Sequence, residues 1–199
     1  MLNGNDNISS VEKQLEEMFC ALNHKYFGNK LDKPAIVVKS DLRNFQKIST
    51  DKIWSSENSG YYEICISAGL LNKSIEDVVV AILHQCVHLW NAKCGIKDTS
   101  RAGMYHNKRF KESAESCDLK VEYNKNNGWS DITASQQLLD FIRCQKWNRF
   151  PLMRNKMAFD ASNKHHRKYS CPNCKKSVRA TKNVRILCMD CNLQMVEVE

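Results

Sequence analysis

Val78-Val79-Val80-Ala81-Ile82-Leu83-His84-Gln85-Cys86-Val87-His88-Leu89-Trp90 is apolar enough to form a buried helix, yet it carries two histidines four residues apart. At helical spacing His84 and His88 leave the same face one turn apart, which suits two imidazoles closing on one metal ion. Ser74, with Asp77 three residues later and Glu76 between them, supplies a capping-box-like start. The valines are indifferent helix formers, so burial must hold this segment. A core helix with two hydrogen-bonded histidines is the competing reading, and a further histidine downstream favours the metal.

In the metalloprotease pattern His-Glu-x-x-His, the glutamate takes a proton from the attacking water. Gln85 stands at that position. The metal site is therefore expected, and the general base is not. His106, at a loop-to-helix junction before Asn107-Lys108-Arg109-Phe110-Lys111, is the natural third ligand, because a catalytic zinc takes three protein ligands and keeps one position open; a surface histidine at a basic helix start is the competing reading.

Outward from this helix, residues 8–27 read as an amphipathic helix through Val11, Leu15, Met18, Leu22 and Tyr26, ended by Gly28-Asn29. His24 falls off the stripe and is expected on the solvated surface. Ala35 to Val38 reads as a short strand. Residues 41–60 are polar and irregular, and Tyr61 to Ser67 reads as a buried strand that could offer an edge to an extended peptide. Asn91 to Gly103 is expected as a loop, 107–117 as a helix, 119–133 as a strand and hairpin, and 135–142 as a short helix.

Near the C-terminus, Cys171-Pro-Asn-Cys174 and Cys188-Met-Asp-Cys191 are two knuckles thirteen residues apart. Four thiolates at that spacing suit a closed tetrahedral structural zinc site, with redox disulfide chemistry or an iron centre as the competing reading, and a segment of some thirty residues needs the metal to fold. Two zinc ions per chain are thus expected. The remaining cysteines (20, 65, 86, 94, 117 and 144) are scattered and read as reduced core thiols.

The net charge of +8 is uneven: residues 1–140 hold 17 Lys and Arg against 18 Asp and Glu, and residues 141–199 hold 13 against 4. A polyanion partner is expected at the basic end. From Arg143 to Lys168 cations interleave with Trp147, Phe150 and Phe159, and cations can hold phosphates while aromatics stack on bases. The expected DNA contacts are Arg143, Lys146, Trp147, Arg149, Lys164, Arg167, Lys168, Lys175, Lys176 and Arg179. A solvated charge run is the competing reading, and His165 and His166 belong to the same basic approach. No apolar run suffices for a membrane span and Met1 to Ser10 lacks a signal-peptide pattern, so an intracellular, cytoplasmic protein is expected.

Together these residues resemble the SprT-like metalloprotease family, which includes the Spartan proteases. The resemblance runs through Leu22-Asn23-His24-Lys25-Tyr26-Phe27, Tyr62-Glu63-Ile64, His84 to Trp90, Gly95-Ile96-Lys97-Asp98 and Tyr105 to Lys111, and the four-cysteine segment is similar to the ribbon of many bacterial members. It implies an α+β fold: a small zincin-like domain over 1–145, a basic aromatic linker over 146–168 and a zinc ribbon over 169–199. It further implies zinc on His84, His88 and His106, and proteolysis of DNA-bound or DNA-crosslinked proteins. Gln85 departs from the family pattern and leaves two classes open: an active protease with its base replaced, or a natural non-catalytic zinc protein that binds DNA or a protein partner.

Overall fold

The computed structural model describes residues 7–39, 46–48, 52–56, 60–150, 152 and 167–198. Leu42, Phe45, Phe159, Lys164, His165 and His166 lie outside them. The chain divides into two compact units, Met1–Arg154 and Asn155–Glu199. Its described elements are a mixture of four α-helices and several small sheets, compatible with an α+β class.

In the first unit, helix α1 (Ile8–Phe27) starts on Asn7, whose side chain accepts from the Ser10 N–H, and ends at Gly28 in the left-handed region. Its stripe of Val11, Leu15, Met18, Phe19 and Leu22 is fully buried, and His24 is exposed. Strands β1 (Ala35–Lys39), β2 (Gln46–Ile48), β3 (Trp54–Ser55), β4 (Gly60–Tyr61) and β5 (Glu63–Ser67) follow. The expected strand over 61–67 is split, with Tyr61 in the β3–β4 pair and all five residues of β5 buried. β5 is the middle strand of the order β1-β5-β2, parallel to β1 and antiparallel to β2. Both its edges are occupied, so it offers none to a peptide. That expectation fails because the pairing with β1 and β2 is long-range and leaves no local trace.

Helix α2 (Ile75–Lys93) starts on Ser74, whose hydroxyl accepts from the Asp77 N–H at 3.1 Å, with Glu76 and Asp77 in the first turn. Val78, Val79, Ile82, Leu83, Cys86 and Val87 are fully buried. Burying each large aliphatic side chain contributes roughly 1.5–3 kcal/mol, more than the few tenths that a valine's helix propensity costs. Helix α1, the helix after the third histidine, the strand over Gly128–Ala134 and the helix over Gln136–Gln145 all pack on α2, so it is buried nearly all round. It runs two residues beyond the expected start of the loop at Asn91.

Strands β6 (Thr99–Ser100) and β7 (Tyr105–His106) lead into α3 (Lys108–Glu115), capped by Asn107, whose Oδ1 accepts from Arg109 at 2.8 Å and Phe110 at 3.3 Å. β8 (Leu119–Asn124) and β9 (Gly128–Ala134) form the expected hairpin, in a sheet of order β6-β7-β9-β8. Helix α4 (Gln136–Gln145) ends on Lys146 in the left-handed region. The chain then turns back: Phe150 is buried in the main core, with Trp147 and Leu152 packed against it. The first unit therefore extends beyond the expected boundary at 145, and Phe150 is a core residue rather than a stacking aromatic. Interleaved cations mask this apolar anchoring in the sequence.

In the second unit, β10 (Arg167–Ser170) lies between β11 (Ser177–Ala180) and β14 (Val196–Val198), and β12 (Leu187–Cys188) pairs with β13 (Leu193–Gln194). Among its described residues the buried core is Tyr169, Cys171, Cys188 and Met195, with three partly buried neighbours. In the apolar stretch Val184–Leu187 only Leu187 enters a strand, and the Val184 N–H donates to the Tyr169 hydroxyl at 3.3 Å. Among the described residues, no helix is long and apolar enough to cross a membrane. Cys65, Cys86 and Cys117 are buried, whereas Cys20, Cys94 and Cys144 are exposed, so only half of the scattered cysteines are core thiols.

Candidate metal centres

Three histidines from two elements converge in the first unit. The Nε2 atoms of His84, His88 and His106 form a triangle with sides of 2.9, 3.1 and 3.1 Å. Three imidazole nitrogens bound tetrahedrally at roughly 2.0–2.1 Å from one ion lie about 3.3–3.4 Å apart, so the triangle is within a few tenths of an ångström of a ligand set. Hydrogen bonding explains it less well, since a ring nitrogen points one way and cannot bond two neighbours in line. Among the described residues, these three form one of two groups that could hold a metal ion.

His84 and His88 meet because they sit one turn apart on α2. His106 is brought to them by β7, where its N–H donates to the Asn127 carbonyl at 2.9 Å and it pairs with Gly128. A Cβ on Gly128 would lie 2.1 Å from the His106 carbonyl oxygen, and its φ of +74° is left-handed, so only glycine allows this approach. Phe110 is fully buried and forms the wall of the site, its ring centroid 4.4 Å from His106, 4.8 Å from His88 and 4.9 Å from His84.

A chain of polar groups orients His88. Its Nδ1 lies 2.7 Å from Asp98 Oδ2, the same oxygen accepts from Asn91 Nδ2 at 2.9 Å, and Ser113 Oγ donates to Asn91 Oδ1 at 2.8 Å. Asp98 accepts only, so His88 carries its proton on Nδ1 and turns the Nε2 lone pair toward the other two histidines. Burial pushes the Asp98 carboxyl up, but the His88 hydrogen bond and charge, with the Asn91 amide, outweigh it and hold the carboxyl below its ordinary value. His106 has no such support: its Nδ1 is buried with no hydrogen-bond partner among the described residues.

Burial, then the charges of His88 and His106, hold His84 well below the ordinary histidine value. Burial, then His88, pulls His106 down to about 4. Both therefore offer neutral lone pairs at neutral pH, as cation ligands must. Gln85 follows His84 on the same helix, is 3% exposed, and its Oε1 is buried with no hydrogen-bond donor among the described residues.

The second group is Cys171, Cys174, Cys188 and Cys191, and within each group all ligand atoms lie within 4.8 Å of one another. Cys174 Sγ and Cys188 Sγ are 3.6 Å apart, close to the roughly 3.8 Å edge of a four-thiolate tetrahedron. The two knuckles repeat one backbone device. The residue after each second cysteine is left-handed, Lys175 at φ +61° and Asn192 at φ +51°. Backbone N–H groups of Cys174, and to a lesser extent Asn173, draw the Cys171 thiol down to about 7, toward the thiolate a metal needs. Asn173 Nδ2 donates to Cys191 Sγ at 3.4 Å, and Lys176 pairs with Asp190, so each knuckle holds the other.

The expected DNA contacts separate into two sets. Arg143, Lys146, Trp147 and Arg149 lie on the first unit beside one cleft. Arg167, Lys168, Lys175, Lys176 and Arg179 lie on the second, where Arg167 pairs with Glu197, Lys176 with Asp190, and Lys175 Nζ donates to the Pro172 carbonyl. Lys164 lies outside the described residues. Comparison with family models, curated proteins and solved structures finds no match to this chain.

Asp98, Asn91, Ser113, Phe110 and Gly128 complete the histidine site without having been assigned to it from sequence. A buried asparagine on the His84/His88 helix and an aspartate ten residues beyond His88 are the only signals that point to them.

Proposed function

We propose that this chain is a zinc metalloprotease of SprT-like type acting on DNA-bound or DNA-crosslinked proteins, with the general base replaced by Gln85. The observation that carries the reading is the convergence of the His84, His88 and His106 Nε2 atoms, with Gln85 the residue after His84 on the same helix. The donor sets fit zinc, with three neutral imidazoles for a catalytic-type ion and four thiols for a structural one. A zincin-like domain followed by a zinc ribbon is the matching architecture. Reduced thiols in the ribbon fit an intracellular site of action, nucleoid-associated in a bacterium or nuclear in a eukaryote.

Zinc at the histidines would polarise the scissile carbonyl and acidify the attacking water. Asp98 and Asn91 fix His88, and Phe110 excludes solvent from one side of the triad. Gln85 can hydrogen-bond a water, but its amide accepts no proton at working pH, so proton transfer to the leaving amine has no carrier. The second reading, a non-catalytic zinc protein that binds DNA or a partner, is favoured by Gln85 alone.

The test is cleavage of a DNA-bound protein by the chain and by Gln85→Glu. The expected result is undetectable cleavage by the chain and a gain of roughly 10²–10⁴-fold in the variant, the usual share of general acid–base catalysis. Equal cleavage by both would place the base elsewhere. Cleavage by neither would select the non-catalytic reading.

A further inference from the structure

A cleft of about 540 Å³ lies on the first unit, away from the histidines. Two segments line it: the turn entering α2, with Lys73 and Glu76, and the end of α4 with the chain beyond it, bearing Arg143, Lys146, Trp147 and Arg149. All four cations are exposed, and Glu76 is the sole acidic residue of the lining. Three of these cations come from the basic stretch that begins after residue 140, and folding adds Lys73 from the turn entering α2.

The wall that carries Lys146 and Arg149 is built rather than loose. Lys146 reverses the chain in a left-handed conformation at φ +54°. Beyond it, Trp147 meets Phe141 edge to face at 6.1 Å and packs on the core, and Phe150 is buried. Gln14 Nε2 of α1 donates to the Asn148 carbonyl at 2.6 Å. Arg143 is steadied by Asp140 at 2.8 Å, a pair exposed enough to contribute little energy of its own. The N-terminus of α2 adds nothing counted here, since Ser74 already caps it.

We infer that this cleft holds the phosphate backbone of a nucleic-acid strand on the catalytic body itself, independently of the cysteine-bearing unit. A site for a single phosphate would need a buried cation or amide to replace its hydration, and none of the four cations is buried. Several exposed cations spread along an open cleft suit a polyanion whose successive phosphates release counterions, with Trp147 as an aromatic wall. Ile75, which also lines the cleft, is nine residues before His84, about 14 Å along the helix. A strand seated there would hold its bound protein within reach of the histidines.

The inference rests on the reading of the protein as one that works at nucleic acid, but its test reads binding alone, so loss of the protease reading leaves the result interpretable. Full-length chain is titrated with a fluorescent single-stranded oligonucleotide across a salt series. Lys73→Glu combined with Arg149→Glu is expected to weaken binding about tenfold or more and to flatten the salt dependence by about one to two ions. Lys146→Glu, which leaves the packed residues untouched, should weaken it about threefold on the same grounds. Reversing Lys120 and Lys125, exposed on the β8 hairpin, should change affinity less than about twofold. Equal losses from the cleft and hairpin reversals would reduce the effect to net charge and overturn the inference. Undiminished binding in both cleft variants would do the same, assigning the nucleic acid to the second unit. Displacement of the oligonucleotide by inorganic tripolyphosphate at matching phosphate concentration would make the cleft a small-polyphosphate site instead.

Discussion

The two candidate metal centres reach a ligand set by opposite routes. The histidines project from α2 and β7, elements held by a large core, and His88 is aimed through Asp98, Asn91 and Ser113. The cysteines sit on two short knuckles around a four-residue core, two members of which are themselves ligands. In the first unit the fold makes the site. In the second a metal would make the fold, because the four-residue core among its described residues is too small to offset chain entropy alone.

The largest effect that would sharpen this contrast is Cys171→Ser. It should unfold residues 167–198, seen as collapse of their amide dispersion in NMR, while signals from the first unit persist. A ribbon that stayed folded without its metal would break the contrast. Next comes Gly128→Ala, which puts a Cβ 2.1 Å from the His106 carbonyl oxygen at a left-handed φ. It should cost about 3 kcal/mol or more in chemical denaturation and displace His106 from the triad. Asp98→Asn is milder: the His88 tautomer is no longer imposed, and affinity at the histidine site should fall roughly 10–100-fold by competition with a chelator, with the cysteine site unchanged.

Much of this was legible in the sequence where the determinants are local. The i, i+4 histidines, the α1 stripe and the two Cys-x-x-Cys knuckles each carry their meaning within a turn or a loop. What stayed hidden depends on distant pairing. β5 became a central strand only through β1 and β2, and Gly128 owes its constraint to the parallel contact with His106. Phe150 looked like part of a basic aromatic tract, because a left-handed turn at Lys146 that returns the chain to the core leaves no hydrophobic period. Asp98 was visible as a residue but not as a partner, since a loop sets its distance from His88.

The most direct test of two centres with different origins is metal content of the chain and of His106→Ala by elemental analysis. Two zinc equivalents are expected in the chain and one in the variant. That remaining ion should resist a chelator, because four thiolates close its site whereas three histidines leave theirs open. A single ion in both proteins, held by the cysteines alone, would contradict the account.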